Sequence, residues 1–182
     1  MNIVDKMARL AMIAHNGVNR RGPGNIPYIV HPHSVVSLLK SWGYDECQDV
    51  VTLAVAWGHD ILEDTNTSEA TILETINHDT LVQKILTGIK MLTFKPNIPL
   101  SHQDYDKMKA EYIENVARYA PPEIIVVKIA DRFCNTLDFA AVDYAREYFE
   151  LGTHLYSRIK DCKNPDRIEE MKQMIQSAVF CE

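Results

Sequence analysis

Ile3, Met7, Leu10, Ala11 and Ala14 recur at the i, i+4, i+7, i+8 spacing that places apolar side chains on one face of a helix. The stripe predicts a first helix with one buried side. Residues 16–30 break the pattern. Asn16-Gly17 is followed by Arg20-Arg21-Gly22-Pro23-Gly24-Asn25-Ile26-Pro27, whose glycines and prolines mark an irregular loop. A second helix fits 32–42 and is closed by Gly43. A third fits about 46–64. Its apolar residues Val50, Val51, Leu53, Ala54, Val55, Ala56, Trp57, Ile61 and Leu62 cover nearly the whole circumference, and such a helix belongs at the centre of a bundle.

Thr67 or Ser68 can cap a further helix through about 78, with Glu69 and Glu74 in its N-terminal half. Leu81 to Leu92 continues helical until Lys95-Pro96-Asn97-Ile98-Pro99 forces a loop. Helices resume over 102–119, 121–138, 140–162 and 165–180, with Pro121-Pro122 and Pro165 (after the capping candidate Asn164) suited to helix starts. Glu123 to Ala130 is rich in β-branched residues and reads locally as a buried strand. No break separates Glu123 from Asn135, however, and no partner strand is visible, so the segment is taken as helix. The expectation is all-α: one domain over residues 1–182, with a motif-bearing core over about 3–138 and C-terminal helices over about 140–180.

Composition narrows the function. Nineteen Lys and Arg stand against 25 Asp and Glu, for a net charge of -6. That balance disfavours a nucleic-acid polymer as partner, although a few local cations can still gather a phosphorylated small molecule into one cleft. No apolar run approaches the roughly 18 residues needed to cross a bilayer, and Asp5, Lys6 and Arg9 spoil a signal peptide. Cys47, Cys134, Cys162 and Cys181 form no C-x-x-C pair and read as reduced thiols. The expected setting is the cytoplasm, without a membrane; oligomeric state and protein partners are not legible.

Chemistry concentrates in His31, the adjacent His59-Asp60, and Asp131. Imidazole and carboxylate together suit Mn²⁺, Fe²⁺, Zn²⁺ or Mg²⁺. His59-Asp60 interrupts a helix otherwise apolar all round, and an unpaired buried carboxylate there costs several kcal/mol. On a continuous helix, at about 100° per residue, Asp60, Glu63 and Asp64 fall about 100°, 40° and 140° from His59. Three carboxylates in one sector repel one another unless a cation offsets them. For Glu63 and Asp64 a solvated acidic helix end is the plain alternative.

Ala14-His15-x-Gly17-x-x-Arg20-Arg21, Pro27-Tyr28-Ile29-x-His31-Pro32, His59-Asp60-Ile61-x-Glu63-Asp64-Thr65 and Val127-Lys128-x-Ala130-Asp131-Arg132-x-x-Asn135 together resemble the hydrolase domain of RelA/SpoT proteins, within the HD-domain phosphohydrolases. The fit is best to small stand-alone members such as the metazoan SpoT homologue. The resemblance implies an HD-domain helical bundle that hydrolyses the 3′-pyrophosphate of ppGpp or pppGpp in a Mn²⁺-dependent reaction, without the synthetase domain of the long bifunctional enzymes. It implies His31, His59, Asp60 and Asp131 as metal ligands and Glu63 and Asp64 as the pair handling water and proton transfer. It matches Arg20 and Arg21 to phosphate contacts and Asn135 to a nucleotide contact. Arg21 stands where the family usually has Lys, Trp57-Gly58 replaces a more aliphatic pair, and the sequence after Asp131 also departs from the usual pattern.

Within the same superfamily the alternatives are a phosphatase for another nucleotide (the 2′-phosphate of NADPH, a ppApp-type alarmone or a deoxynucleoside monophosphate) and a non-catalytic nucleotide-binding domain. Two imidazoles and two carboxylates leave about two positions of an octahedral ion for water and a phosphate oxygen. Lys128 reads either as phosphate-facing or as a solvated charge. His33 is expected to face away from His31, because residues two apart on a helix diverge. His15 reads as a packing or orienting residue near the loop. His78, His102 and His154 read as surface or satisfied positions, Cys134 as packing, and Tyr144, Tyr148 and Tyr156 as a core or bundle face.

Overall fold

The computed structural model describes residues 1–20, 24–77, 80–96, 99, 101–138 and 142–180. Among these every regular element is helical; an isolated antiparallel bridge, Asn19 to Pro27, is the nearest thing to a strand. None of the described helices is long and apolar enough to cross a membrane. The chain divides into two compact units, Met1–Thr93 and Phe94–Glu182.

The first unit contains α1 (Ile3–Ala14), α2 (Val30–Ser41), α3 (Val50–Gly58), α4 (Ile61–Asp64), α5 (Glu69–Ile76) and α6 (Thr80–Leu92). The stripe of α1 buries Val4, Met7, Leu10 and Ala11, while Asn2 caps the helix by accepting from the Asp5 N–H at 2.7 Å. α2 stops where Gly43 takes a positive φ of 92°. α3 packs against α1, α2 and α6 and buries Thr52 to Ala56, as a helix apolar on all sides should. Gly58 keeps this centre tight: a Cβ there would lie 2.6 Å from Met7 Cε and 2.7 Å from Ile89 Cδ1. Ser68 accepts from the Thr71 N–H to cap α5, and Asn77 closes it in the left-handed region.

The single helix expected over 46–64 is divided, and side-chain chemistry explains both ends. The Asp45 carboxylate accepts from the Cys47 and Gln48 N–H groups at 2.9 and 3.0 Å, which makes a turn and delays the helix to Val50. After Gly58, His59 Nδ1 bonds the Ala56 carbonyl at 2.7 Å. That carbonyl is the acceptor residue 60 would use in a continuing helix. Residues 59 and 60 stay right-handed, and α4 begins afresh with Asp60 as its cap.

The second unit contains α7 (His102–Tyr119), α8 (Pro122–Asp138), α9 (Val142–Glu150), α10 (Thr153–Tyr156), a 3-10 turn (Ile159–Asp161) and α11 (Pro165–Phe180). Glu123–Ala130 lies within α8, so its β-branched run is helical. Ile124 to Phe133 are all buried, and the helix packs on α9, α10 and α11. The helix expected over 140–162 is broken too. Thr153 Oγ1 donates to the Glu150 carbonyl and Ser157 Oγ to the His154 carbonyl, each at 2.7 Å, and such local bonds compete with the helical ladder. Of the three tyrosines expected on a bundle face, Tyr144 is instead exposed, because the buried stripe of α9 runs through Ala145 and Phe149.

Candidate metal centre

Two helix ends deliver the imidazoles of the first unit. His31 sits in the first turn of α2, where Pro32 is tolerated, and His59 follows the last residue of α3. His59 is fully buried and His31 is 1% exposed. Their Nε2 atoms lie 3.3 Å apart, and Asp60 Oδ2 lies 3.1 Å from that of His59 and 3.5 Å from that of His31. A carbonyl only accepts, so the bond to Ala56 fixes the hydrogen on His59 Nδ1 and leaves Nε2 as the lone-pair nitrogen of the neutral ring.

These separations fit a shared ion. With metal bonds of about 2.1 Å, neighbouring ligand atoms stand about 3.0 Å apart at a right angle and about 3.4 Å apart at a tetrahedral one. Two imidazoles and a carboxylate at this spacing can hold a divalent cation. The donor set does not choose among Mn²⁺, Fe²⁺, Zn²⁺ and Mg²⁺.

The acidic pair stands directly beyond. The Asp60 carbonyl accepts from the Glu63 and Asp64 N–H groups at 3.1 and 2.8 Å, so both acids are carried on the turn that Asp60 begins. Glu63 is half-buried and Asp64 exposed. Sequence reasoning gave no role to Tyr28, whose hydroxyl bonds Asp60 Oδ2 at 2.8 Å and also bonds Asp64 Oδ2. Burial, then the neighbouring Asp60 and Asp64 carboxylates, hold its phenol far above the usual tyrosine range. The signal lay in the Pro27-Tyr28 element three residues ahead of His31, but a contact across 32 and 36 residues leaves no local trace.

His15 stacks on the Tyr28 ring, with centroids 4.6 Å apart and planes 16° from parallel. It is 2% exposed, which fits the packing or orienting reading. Burial lowers its pKa, against opposing pulls from Asp60 and Asp64. Arg20 lies over the same Tyr28 ring at 5.6 Å. Its place is set by the neck of the loop, where Arg20 N–H bonds the Ile26 carbonyl and Tyr28 N–H the Val18 carbonyl at 2.9 and 2.8 Å. Arg21, His78 and Cys181 lie outside the described residues. His33 pairs with Trp57 at 6.0 Å, and His102 and His154 are exposed.

The second unit holds Asp131, Lys128 and Asn135 on α8. Asp131 is 3% exposed and Lys128 5%, with Nζ to Oδ2 at 2.8 Å. This corrects the reading of Lys128 as a solvated charge: three residues before Asp131 on a buried helix, it is held by that carboxylate. Burial opposes its charge, but Asp131, Tyr112 and Tyr148 outweigh that and hold the ammonium well above the ordinary lysine range. Asn135 Nδ2 donates to Asp131 Oδ1 at 2.6 Å and to the Tyr148 hydroxyl at 3.2 Å. The Arg132 guanidinium lies 3.8 Å from the centre of the Tyr148 ring and donates to its carbonyl. Among the described cysteines, Cys47, Cys134 and Cys162 form no disulfide.

No curated protein sequence matches the chain. Its fold is similar to a solved structure described as a metazoan ortholog of SpoT that hydrolyzes ppGpp and plays a role in starvation responses. That likeness has a TM-score of 0.75 at 18% identity and covers 100% of this chain and 98% of that one, which shows a shared fold. A family model described as HD domain matches residues 8–176. With its all-helical architecture and its adjacent His59-Asp60 beside His31, the chain belongs to the HD domain family.

Proposed function

We propose that the protein is a Mn²⁺-dependent phosphohydrolase acting on a small nucleotide. It removes the 3′-pyrophosphate of ppGpp or pppGpp to give GDP or GTP and pyrophosphate, with residues 1–182 working as one HD-type domain. The observation that carries this reading is the convergence of His31, His59 and Asp60 with a turn that presents Glu63 and Asp64. Membership of the HD domain family and the fold shared with a ppGpp-hydrolysing SpoT ortholog support it.

In this reading His31, His59, Asp60 and Asp131 hold the ion. His31, His59 and Asp131 are buried and each offers a ligand atom. Lys128 and Asn135 keep the Asp131 carboxylate oriented and balanced. When bound, the divalent ion lowers the pKa of a water toward neutrality and polarises the phosphorus it faces. Glu63, with Asp64 sharing the task, takes the proton of the water as its oxygen bonds the 3′ phosphorus; the P–O3′ bond breaks, and the same proton is returned to the departing 3′ oxygen. Arg20, with Arg21, offers guanidinium forks to the pyrophosphoryl group that is transferred to water.

The test is a nucleotide panel with purified protein, assayed for released pyrophosphate and phosphate with Mn²⁺ and again with EDTA. Pyrophosphate from ppGpp, abolished by EDTA, is the expected result. Faster consumption of NADPH, a ppApp-type nucleotide or a deoxynucleoside monophosphate overturns the substrate assignment. Tight ppGpp binding with no turnover overturns the enzymatic reading.

A further inference from the structure

The geometry points to Tyr28 as the positioning residue that couples the candidate metal ligand Asp60 to the candidate proton-transfer acid Asp64. This rests on the phosphohydrolase reading of the same site. One hydroxyl meets Oδ2 of both carboxylates. A phenol has a single hydrogen to donate, so the two acids share one donor and are held within reach of one oxygen. The oxygen of Asp60 that Tyr28 touches is the one turned toward both imidazoles. The bond therefore sets the face that Asp60 presents to His31 and His59 as well as the rotamer of Asp64.

Tyr28 is itself fixed from several sides. Its N–H bonds the Val18 carbonyl at 2.8 Å, and its own carbonyl accepts from the His31 N–H at 2.9 Å. His15 stacks on the ring. Neither His15 nitrogen has a hydrogen-bond partner among the described residues, so its contribution is the face of the ring. Asp64 needs such a post: it is exposed on a four-residue helix, where an unrestrained carboxylate samples several rotamers. Small misplacements of a catalytic group cost large factors in rate, whereas substrate binding contacts made elsewhere are unaffected.

Tyr28→Phe removes the hydroxyl and keeps the stacking ring. Its Mn²⁺ affinity is measured by electron paramagnetic resonance of the free ion, and its kcat and KM at saturating Mn²⁺. Circular dichroism confirms folding, and exposed Tyr144→Phe is the control. The expected result is a Mn²⁺ Kd raised about tenfold and a kcat lowered about tenfold or more, with KM within about twofold. A Kd and kcat both within about twofold of wild type overturn the coupling. A change in Kd alone overturns the Asp64 half, and a change in kcat alone the Asp60 half. If wild type hydrolyses no nucleotide in the panel, the functional reading fails, and the Mn²⁺ measurement alone decides on Tyr28: an unchanged Kd overturns the proposal.

Discussion

Two buried ionisable groups, one in each unit, are built on opposite plans. In the first unit two imidazole nitrogens and a carboxylate oxygen face one another at 3.1–3.5 Å. In the second, Asp131 has a donor on each oxygen, Lys128 on one and Asn135 on the other. The second cluster carries its own counter-charge; the first is shaped to receive one. Both hide polar atoms: the first depends on an added cation for its counter-charge, whereas Asp131 already has Lys128 and, in the proposed reading, would lend its carboxylate to the ion as well. Burial and charge content alone do not show where a counter-charge is missing; the balance of donors and acceptors does.

The largest effect expected from this contrast is at His59. Losing an outer-shell partner of a metal ligand typically costs 10–100-fold in affinity or activity, so losing the ligand itself should exceed the upper end of that range. His59→Ala is expected to lower both Mn²⁺ affinity and turnover by more than about a hundredfold, read by ion titration and steady-state kinetics. An unchanged affinity would remove the distinction between the two clusters. At Asp131, chemical denaturation should show that Asp131→Ala, which strands the buried Lys128, costs about 3–5 kcal/mol. Lys128→Met combined with Asp131→Leu should cost clearly less than Asp131→Ala, because no lone charge remains. Equal losses would mean that the pair is not self-balanced.

The smallest effect is in pH. His15 has a folded pKa below its unfolded value, so the native state refuses a proton that the unfolded chain accepts. Stability is complete above the ordinary imidazole range and declines as the pH falls through it toward the folded value. Lys128 is displaced upward, and its contribution is complete below the ordinary lysine pKa and declines as the pH rises through the folded value. The acid limb thus lies in the first unit, while the alkaline limb is shared by Tyr28 of that unit, whose phenol is also displaced upward, and Lys128 of the second. His15→Phe should flatten the acid limb and leave the alkaline one in place, measured as unfolding free energy against pH.

Helix identity was legible wherever one periodic face ran between clear signals. Met7, Leu10 and Ala11 of the first stripe, the cap at Ser68 and the start near Pro122 appear as read, while Val4 rather than Ile3 or Ala14 completes the buried face of α1. Interruptions were not. His59 and Asp60 keep right-handed dihedrals, so apolar periodicity runs across the break; what ends α3 is a ring nitrogen competing for one carbonyl. The separation of α9 from α10 likewise depends on Thr153 turning its hydroxyl back to Glu150. At the site, His59-Asp60 could be picked out because such residues are costly in an apolar helix, and His31 through the Pro27-Tyr28-Ile29-x-His31-Pro32 motif. Tyr28 could not, because a tyrosine beside a loop is ordinary until its partners are known. Lys128 and Asn135 were recognised as polar residues one turn from Asp131, but the direction in which each points is a tertiary fact.

The carbonyl of residue 60 accepts from residues 63 and 64 together, so the side chain that faces the imidazoles and the two acids beyond it ride on one rigid lever. Engineering this stretch therefore follows an all-or-none rule. Transplanting residues 59–65 as a block preserves the angle between ligand and acids, whereas lengthening the chain by one residue inside it swings Glu63 and Asp64 around the axis together and leaves the imidazoles where they were.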